Sequence, residues 1–330
     1  MKIAVVGLGA VGGFMAGRLA QAGFEVAALA RGETLAAVRE RGLRVSMGVQ
    51  ELNTPIHASD DARELGTQDL VIVALKGQAL AAAAPGLQPL LGPQTVVMPA
   101  MNGVPWWFLQ AGTPGTSTQR LASIDPDGHI EAAIPLVRVL GCVVHFASSS
   151  PQPGVVQHGF GDRLIVGEPA GSPSGRASAR THAVCAALTK AGFKAEASTD
   201  IRHDIWFKLW GNTTMNPVSA LTGATSDRIL DDPLVSTFIL RAMEEAAAIG
   251  ARIGCPIAQS GEERMAVTRQ LGGFKTSMLQ DVQAGRAVEL DALVSAVHEI
   301  GTRFDVPMPN IGALLGLTRL MARERGLYPR

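Results

Sequence analysis

The chain of 330 residues is long enough for two domains, and its 47% hydrophobic content is typical of a compact soluble protein. Its 29 basic and 29 acidic residues give a net charge of zero and form no long run of either sign. This balance argues against nucleic acid or an anionic membrane as a partner, so we expect a small-molecule ligand.

Three further features argue against a metal-binding or membrane-spanning protein: the cysteines, the histidines and one uncharged stretch. Cys142, Cys185 and Cys255 are too widely spaced for a paired-ligand motif and predict buried thiols in a reducing cytoplasm. The seven histidines show no metal-ligand spacing, so no metal is predicted. Residues 77–119 carry no charge, but prolines and glycines interrupt them too often for a membrane-spanning helix.

The chain begins with a short apolar strand pattern, Lys2–Val6, followed directly by Gly-x-Gly-x-x-Gly and an alanine-rich helical pattern. In a dinucleotide-binding βαβ unit these glycines permit a tight turn, the approach of a pyrophosphate, and close packing of helix on strand. A secretory signal is the alternative, but the glycines and a second strand at Glu25–Ala30 argue against it. The predicted cofactor-binding residues of this turn are Gly7, Leu8, Gly9, Ala10, Val11 and Gly12.

The residue after the second strand, Arg31, indicates which dinucleotide is bound. An acidic residue at this position usually accepts the ribose hydroxyls of NAD, whereas an arginine accommodates the extra phosphate of NADP. The alternative is a solvated loop arginine, which the nearby Glu33 keeps open. We expect NADP(H) as the cofactor.

Alternating strand and helix patterns predict an α/β fold with a parallel sheet, in a Rossmann-type dinucleotide-binding domain. Later strands joined by Pro, Gly and Ser predict an antiparallel extension of that sheet. The predicted strands are Leu70–Leu75, Thr95–Met98, Val139–Ala147, Gly154–His158, Leu164–Val166 and Phe193–Ala197. The predicted helices are Glu33–Arg41, Gln78–Ala84 and about Gly175–Ala191.

From Asp200 onward the pattern is almost wholly helical and predicts a second, all-α domain. We therefore expect an NADP-binding domain over residues 1–199 and a helical substrate and catalytic domain over 200–330. The predicted helices are Ile201–Leu221, Pro233–Ile253, Glu262–Leu271, Glu289–Phe304, and a last one after the break at residues 306–310.

Two polar residues follow strands of the predicted sheet. Lys76 comes after Leu70–Leu75, and Asn102 comes after Thr95–Met98. The alternatives are that Lys76 is a solvated surface lysine and that Asn102-Gly103 is a simple turn. Their shared position beyond the carboxyl ends of strands, where doubly wound folds bind ligands, favours a functional role for both.

One helix of the second domain carries a polar stripe formed by Lys208, Asn212 and Asn216 at i, i+4 and i+8. A solvent-exposed stripe is the alternative, but such stripes are usually richer in Glu, Lys and Arg, so this one predicts a site.

Farther along the chain, Glu289 is predicted to lie at the start of a helix. It is favoured there by the helix dipole, and it is equally suited to orient a buried lysine and to bond a hydroxyl product.

Together these residues resemble the ketopantoate reductases, or 2-dehydropantoate 2-reductases, over essentially the whole chain. The matching motifs are Gly7-x-Gly9-x-x-Gly12, Arg31, Lys76, Asn102-Gly103, Lys208-x-x-x-Asn212-x-x-x-Asn216-Pro217, and Ser277-Met278-Leu279-Gln280-Asp281 with Glu289 twelve positions after Ser277. The resemblance implies a helical domain like the C-terminal domain of 6-phosphogluconate dehydrogenase. It also implies NADPH-dependent reduction of 2-dehydropantoate to (R)-pantoate in the cytoplasm, for pantothenate and coenzyme A synthesis.

The resemblance also implies roles for individual residues. Lys208 would be the general acid that protonates the ketone oxygen, and Glu289 would orient the substrate and the lysine. Arg31 would hold the NADP phosphate, and Lys76 would lie near cofactor and substrate. The residues implied to bind substrate are Asn102, which is also placed at the cofactor, Asn212, Asn216 and Ser277.

The chain departs from the family pattern at three places. Ser226 stands where the best-known members carry a substrate-binding asparagine, ten residues after Asn216, and Phe274 replaces an asparagine three residues before Ser277. An insertion at roughly Trp106–Pro135 places aromatic residues directly after Asn102-Gly103. They are interpreted as a pocket wall or a lid.

Three alternatives to ketopantoate reduction stay open. They are a β-hydroxyacid dehydrogenase-like oxidoreductase, a family paralogue that reduces a different 2-oxo acid, and a non-catalytic NADP(H) sensor. A sensor needs no proton donor, so the presence of Lys208 and Glu289 argues for an enzyme. The apolar helical half is compatible with a homodimer.

Overall fold

The computed structural model describes residues 1–111, 120–172 and 174–329. Its contacts divide the chain into two compact units: Met1–Met101 with Asp127–Asp204, and Asn102–Pro126 with Ile205–Arg330. This division differs from the expected boundary near residue 199 because residues 102–126 group with the helical unit and not with the strands on either side of them in sequence.

The strands of the first unit form two separate sheets. In chain order they are β1 (Lys2–Val6), β2 (Glu25–Leu29), β3 (Leu43–Met47), β4 (Gln50–Thr54), β5 (His57–Ser59), β6 (Gln68–Val73), β7 (Leu91–Pro99), β8 (Gly141–Gln152), β9 (Val155–Gly167) and β10 (Lys194–Ser198). The first sheet has the order β5-β2-β1-β6-β7, and all its neighbouring strands run parallel. The direction of winding changes between β1 and β6, the point at which doubly wound sheets bind ligands.

The second sheet has the order β10-β9-β3-β4, with β8 paired to β9. The predicted antiparallel extension of the first sheet is therefore wrong. β8 and β9 are antiparallel, but β9 runs parallel to β3 and β10 in a sheet of its own. β9 is also one strand where two were predicted, because register shifts in its pairing with β8 let it pass the glycines at 159 and 161 without ending.

The helices of the first unit flank these sheets. They are α1 (Ala10–Gln21), α2 (Gly32–Arg41), α3 (Ala62–Leu65), α4 (Gly77–Ala83), α5 (His129–Ala133) and α6 (Ala179–Lys190). Helix α1 contacts strands of both sheets and buries Phe14, Met15 and Leu19 completely. The main apolar core of this unit is therefore centred on α1.

The second unit is helical, as predicted, and the combination of a parallel-sheet α/β unit with a helical unit is confirmed. Its helices are α7 (Ile201–Thr222), whose first turn belongs to the first unit, α8 (Ser226–Asp231), α9 (Pro233–Arg252), α10 (Gly261–Gln270), α11 (Ser277–Gln283), α12 (Ala296–Arg303) and α13 (Pro309–Glu324). A π-helical turn, Asp291–Ser295, leads directly into α12. Within the described residues, no helix is long and apolar enough to cross a membrane.

Candidate active site

The glycine turn after β1 has the geometry that a bound phosphate requires. Gly7 has φ +91° and donates its N–H to Leu29 O at 2.9 Å. A Cβ on Gly12 would lie 2.0 Å from Gly7 O, so only glycine lets α1 pack this closely on the turn. A Cβ on Gly9 would meet nothing within 4 Å, which leaves open space in front of the N-terminus of α1. The residues of this turn therefore fit a dinucleotide pyrophosphate.

The side chains of the turn differ in what they offer a ligand. The side chain of Leu8 is buried, whereas Ala10 and Val11 are partly exposed at the first turn of α1. Arg31 is exposed and occupies the N-cap position of α2. Lys76 is half-buried and occupies the N-cap position of α4, after β6. All of these predicted cofactor residues belong to the first unit.

The second unit brings two predicted site residues into direct contact. Lys208 Nζ donates a hydrogen bond to Asn102 Oδ1 at 2.7 Å, although 106 residues separate them in sequence. Asn212 and Asn216 follow Lys208 on the same face of α7; Asn212 is half-buried, and Asn216 is buried with 6% exposure. The polar stripe predicted from the sequence is thus partly buried, and its first residue, Lys208, is hydrogen-bonded to Asn102.

Tryptophans on the opposite face of α7 fix its orientation. Trp206 Nε1 donates to Ala246 O at 3.2 Å, and Trp210 Nε1 donates to Met243 O at 2.8 Å, both on α9. Each indole is buried, so each bond satisfies a donor that would otherwise be costly to bury. Two such anchors one turn apart hold Lys208 on the side of α7 that faces away from α9.

The turn that carries Asn102 packs against the helix start that follows Glu289. Gly103 has φ +87°, and a Cβ there would lie 2.5 Å from Ala292 O. Val104 N donates to the same Ala292 O at 2.8 Å. Ala292 lies in the π-helical turn three residues after Glu289, which is itself half-buried. Sequence patterns did not indicate this contact, because π-helical turns have no periodicity of their own over a single turn.

A hydrogen-bond network holds the π-helical turn in place. Tyr328 Oη donates to Asp291 Oδ1 at 2.6 Å, and Ser295 Oγ donates to the same oxygen at 3.0 Å. Burial, followed by the hydrogen bond and charge of Asp291, raises the pKa of Tyr328 to about 12. Tyr328 therefore remains a neutral donor throughout the physiological pH range.

Two residues that depart from the family pattern are bonded to each other. Ser226 is fully buried; its Oγ donates to Gly272 O at 2.8 Å and accepts from Phe274 N at 3.0 Å. Ser226 N also donates to Phe274 O at 3.1 Å. Ser226 therefore fixes the backbone before α11, and the side chain of Phe274 is half-buried. Ser277 is exposed at the first position of α11, whose N-cap is Thr276.

The aromatic residues of the predicted insertion form part of the core of the second unit. Trp106 and Trp107 are 1% exposed, and Phe108 is fully buried with its ring stacked 5.9 Å from that of Trp206. Burial of this kind contradicts a lid, which has to move through solvent. Residues 112–119 of the insertion lie outside the described residues. In the described part of the chain, no group of three His, Cys, Asp or Glu residues is placed to hold a metal.

The fold and these side chains define a class of protein: an oxidoreductase with a dinucleotide-binding α/β domain and a helical domain that carries a lysine–asparagine pair. The chain belongs to the ketopantoate reductase family. Family models described as "Ketopantoate reductase PanE/ApbA" and "Ketopantoate reductase PanE/ApbA C terminal" match residues 3–171 and 200–322.

Individual relatives agree with this placement. The chain is 43% identical to a 2-dehydropantoate 2-reductase of Mesorhizobium japonicum, over 99% of this chain and 100% of the relative. It is similar to a crystal structure of a candidate ketopantoate reductase from Ralstonia solanacearum MolK2, with 56% identity, a TM-score of 0.95 and 99% of each chain covered. A 2-dehydropantoate 2-reductase structure from Methylococcus capsulatus matches at 25% identity and a TM-score of 0.83, over 98% of each chain.

Proposed function

We propose that this protein reduces 2-dehydropantoate to (R)-pantoate with NADPH, as a step in pantothenate and coenzyme A synthesis. The single observation that carries the proposal is the hydrogen bond from Lys208 to Asn102, because it holds the ammonium group of Lys208 in a fixed direction on the helical unit. The full-length relationship to a 2-dehydropantoate 2-reductase supports the choice of substrate. Family models over both halves favour this assignment over a β-hydroxyacid dehydrogenase.

The cofactor is proposed to bind to the domain formed by residues 1–199. Open space at Gly9 and the N-terminus of α1 support pyrophosphate binding by residues Gly7–Gly12. The exposed guanidinium of Arg31 is suited to a ribose phosphate, and Lys76 and Asn102 are proposed to border the nicotinamide end. Bound NADPH supplies the hydride that adds to the ketone carbon of the substrate.

The helical domain, residues 200–330, is proposed to bind the substrate and supply the proton. Lys208 donates the proton from Nζ to the ketone oxygen as the hydride adds to the carbon, so that the C=O bond becomes CH–OH. Asn102 orients Lys208, and Glu289 orients both the lysine and the new hydroxyl. Asn212, Asn216 and Ser277 line the substrate site.

A cytoplasmic location is also proposed, together with a homodimer. The cysteines Cys142, Cys185 and Cys255 are free and buried, which suits a reducing compartment. Two large apolar side chains of α13, Leu317 and Leu320, are 59% and 60% exposed and support a contact between subunits. Light scattering after size exclusion tests the dimer, and fractionation of cells tests the location.

The direct test of function is NADPH oxidation by the purified protein with 2-dehydropantoate and a panel of other 2-oxo acids. A kcat/KM at or above about 10⁴ M⁻¹s⁻¹ for 2-dehydropantoate supports the proposal. Activity only with a bulkier or more apolar 2-oxo acid points to the second candidate, a paralogue with a rebuilt pocket, which the half-buried Phe274 favours. Tight NADPH binding with no turnover of any acid indicates a sensor.

A further inference from the structure

Helix α10 places an arginine side chain against the helix that carries Lys208. The guanidinium carbon of Arg264 lies 5.0 Å from the centroid of the Phe207 ring on α7. Its Nε and Nη2 atoms lie 3.5 and 3.6 Å from the point that a Cβ of Gly211 would occupy. These are ordinary van der Waals distances, so the guanidinium packs directly over the backbone of α7 at Gly211.

Within the described residues, this guanidinium has no hydrogen-bond or charge partner. Its Nε atom is buried and unbonded, and no carboxylate forms an ion pair with it. Burial alone lowers the pKa of Arg264, without any acidic group nearby to oppose the shift. Arg269, on the same helix, pairs with Asp231 and also donates to Leu230 O at 2.7 Å. Arg264 is thus a partly desolvated cation with no anion beside it among the described residues.

The position of the Arg264 side chain against α7 indicates which anion it receives. Phe207 and Gly211 form one stripe of the helix, and Lys208 and Asn212 form the next stripe, rotated by about 100°. Arg264 therefore borders the same surface as the lysine proposed to protonate the ketone. In a 2-oxo acid the carboxylate is bonded directly to the ketone carbon, so both cations can serve one small ligand.

We propose that Arg264 binds the carboxylate of the 2-oxo acid and selects acids over neutral ketones at this site. The proposal rests on the function proposed above, and it adds a specificity-determining residue to it. Planar guanidinium groups hydrogen-bond carboxylates through two parallel N–H donors, which fixes the orientation of the ligand as well as its charge. The cation–π contact with the Phe207 ring holds the guanidinium in place in advance of binding.

The test compares an acid with its neutral counterpart in Arg264→Gln. The substrates are 2-dehydropantoate and its cyclic ester, 2-dehydropantolactone, which keeps the ketone but has no carboxylate. We expect the ratio of kcat/KM for the acid to kcat/KM for the lactone to fall by about 30-fold or more, through KM, as for loss of a charged hydrogen bond. Arg264→Lys should recover part of the ratio, and NADPH affinity should not change.

Arg269→Gln is the matched control, because Arg269 is on the same helix but already has partners. An unchanged ratio in Arg264→Gln, equal losses for acid and lactone, or a loss of NADPH affinity instead would each overturn the assignment. Absence of any 2-oxo acid turnover by the wild type would refute the proposed function. Calorimetric titration with 2-dehydropantoate would then decide the role of Arg264: weaker binding by Arg264→Gln supports it, and equal affinity refutes it.

Discussion

The contact between Lys208 and Asn102 suits a proton donor because an amide oxygen accepts a hydrogen bond without taking the proton. A carboxylate at position 102 would hold the ammonium form more strongly and make the proton harder to release. The 2.7 Å bond from Nζ to Asn102 Oδ1 fixes the direction of the ammonium group. The sequence predicted both residues separately, but not their contact, since periodicity relates residues on one helix and not residues 106 positions apart.

Replacing Lys208 by alanine should lower turnover by about 10²-fold or more, because the developing alkoxide would lose the proton donor proposed for it. Affinity for NADPH should stay nearly unchanged, since the predicted cofactor residues of the first unit are intact. Steady-state kinetics and a fluorescence titration with NADPH measure the two quantities. The control is Lys194→Ala, at an exposed lysine paired with Asp162. Turnover equal to that of the wild type would refute the role of Lys208.

Replacing Arg31 by alanine should weaken NADPH binding far more than NADH binding, because only NADPH carries the ribose phosphate that a guanidinium would pair with. Dissociation constants for both cofactors, measured by titration at one salt concentration, give the selectivity directly. Arg63→Ala, at an 81% exposed arginine of the same unit, serves as the control. Equal losses for the two cofactors would show that Arg31 does not contact the phosphate.

Among the elements, those with strong local patterns were predicted well, and those that depend on distant contacts were not. Strand β1 has the bounds that the sequence indicated, and α2 and α9 each differ by one residue. The β3–β4 hairpin was missed, although Leu43 and Val45 alternate with polar residues and Gly48 has φ +62° at the turn. The sequence could not show that the later strands form a separate sheet, because the alternation of apolar and polar residues within a strand does not reveal which strands pair.

The glycine turn allows a matched pair of substitutions that separate folding from binding. Gly12→Ala should lower the melting temperature, because its Cβ would lie 2.0 Å from the backbone oxygen of Gly7 and something must shift. Gly9→Ala should melt close to the wild type without cofactor, since its Cβ meets nothing within 4 Å, yet it should weaken NADPH binding. Thermal melts with and without NADPH test both. A Gly9→Ala protein with wild-type affinity would contradict a pyrophosphate at this turn.

At the scale of the molecule, Glu299 ties the segment before Pro126 to α12. Its carboxylate accepts from Ala122 N at 2.9 Å and Ser123 N at 2.8 Å, and it pairs with Arg303. Burial would raise the pKa of Glu299, but hydrogen bonds from Ser123 and Ala122 and the charge of Arg303 outweigh it and hold the pKa below its ordinary value of 4.5. The sequence did not indicate this connection, because Glu299 lies in a helix with an ordinary charge pattern.

The lowered pKa of Glu299 predicts acid sensitivity. A depressed folded-state pKa stabilises the protein above the unfolded-state pKa, near 4.5, and this stabilisation is lost as the pH falls through the folded-state value. Glu299→Gln should therefore lower the melting temperature at pH 7 and flatten its fall between about pH 5 and pH 3. Melts over this range measure it, with Glu40→Gln, at an exposed carboxylate, as the control. Parallel pH profiles for Glu299→Gln and wild type would contradict the prediction.

Residues 102–126 are synthesised well before the helices with which they group in the finished protein. Ser123 leaves the ribosome 176 residues before Glu299, which at about 5–20 residues per second is a wait of roughly 10–35 s. During that interval Trp106, Trp107 and Phe108, which the finished protein buries, have no helices to cover them. A fragment that ends near residue 199 would keep these aromatic residues exposed, so it should aggregate more readily than the full chain.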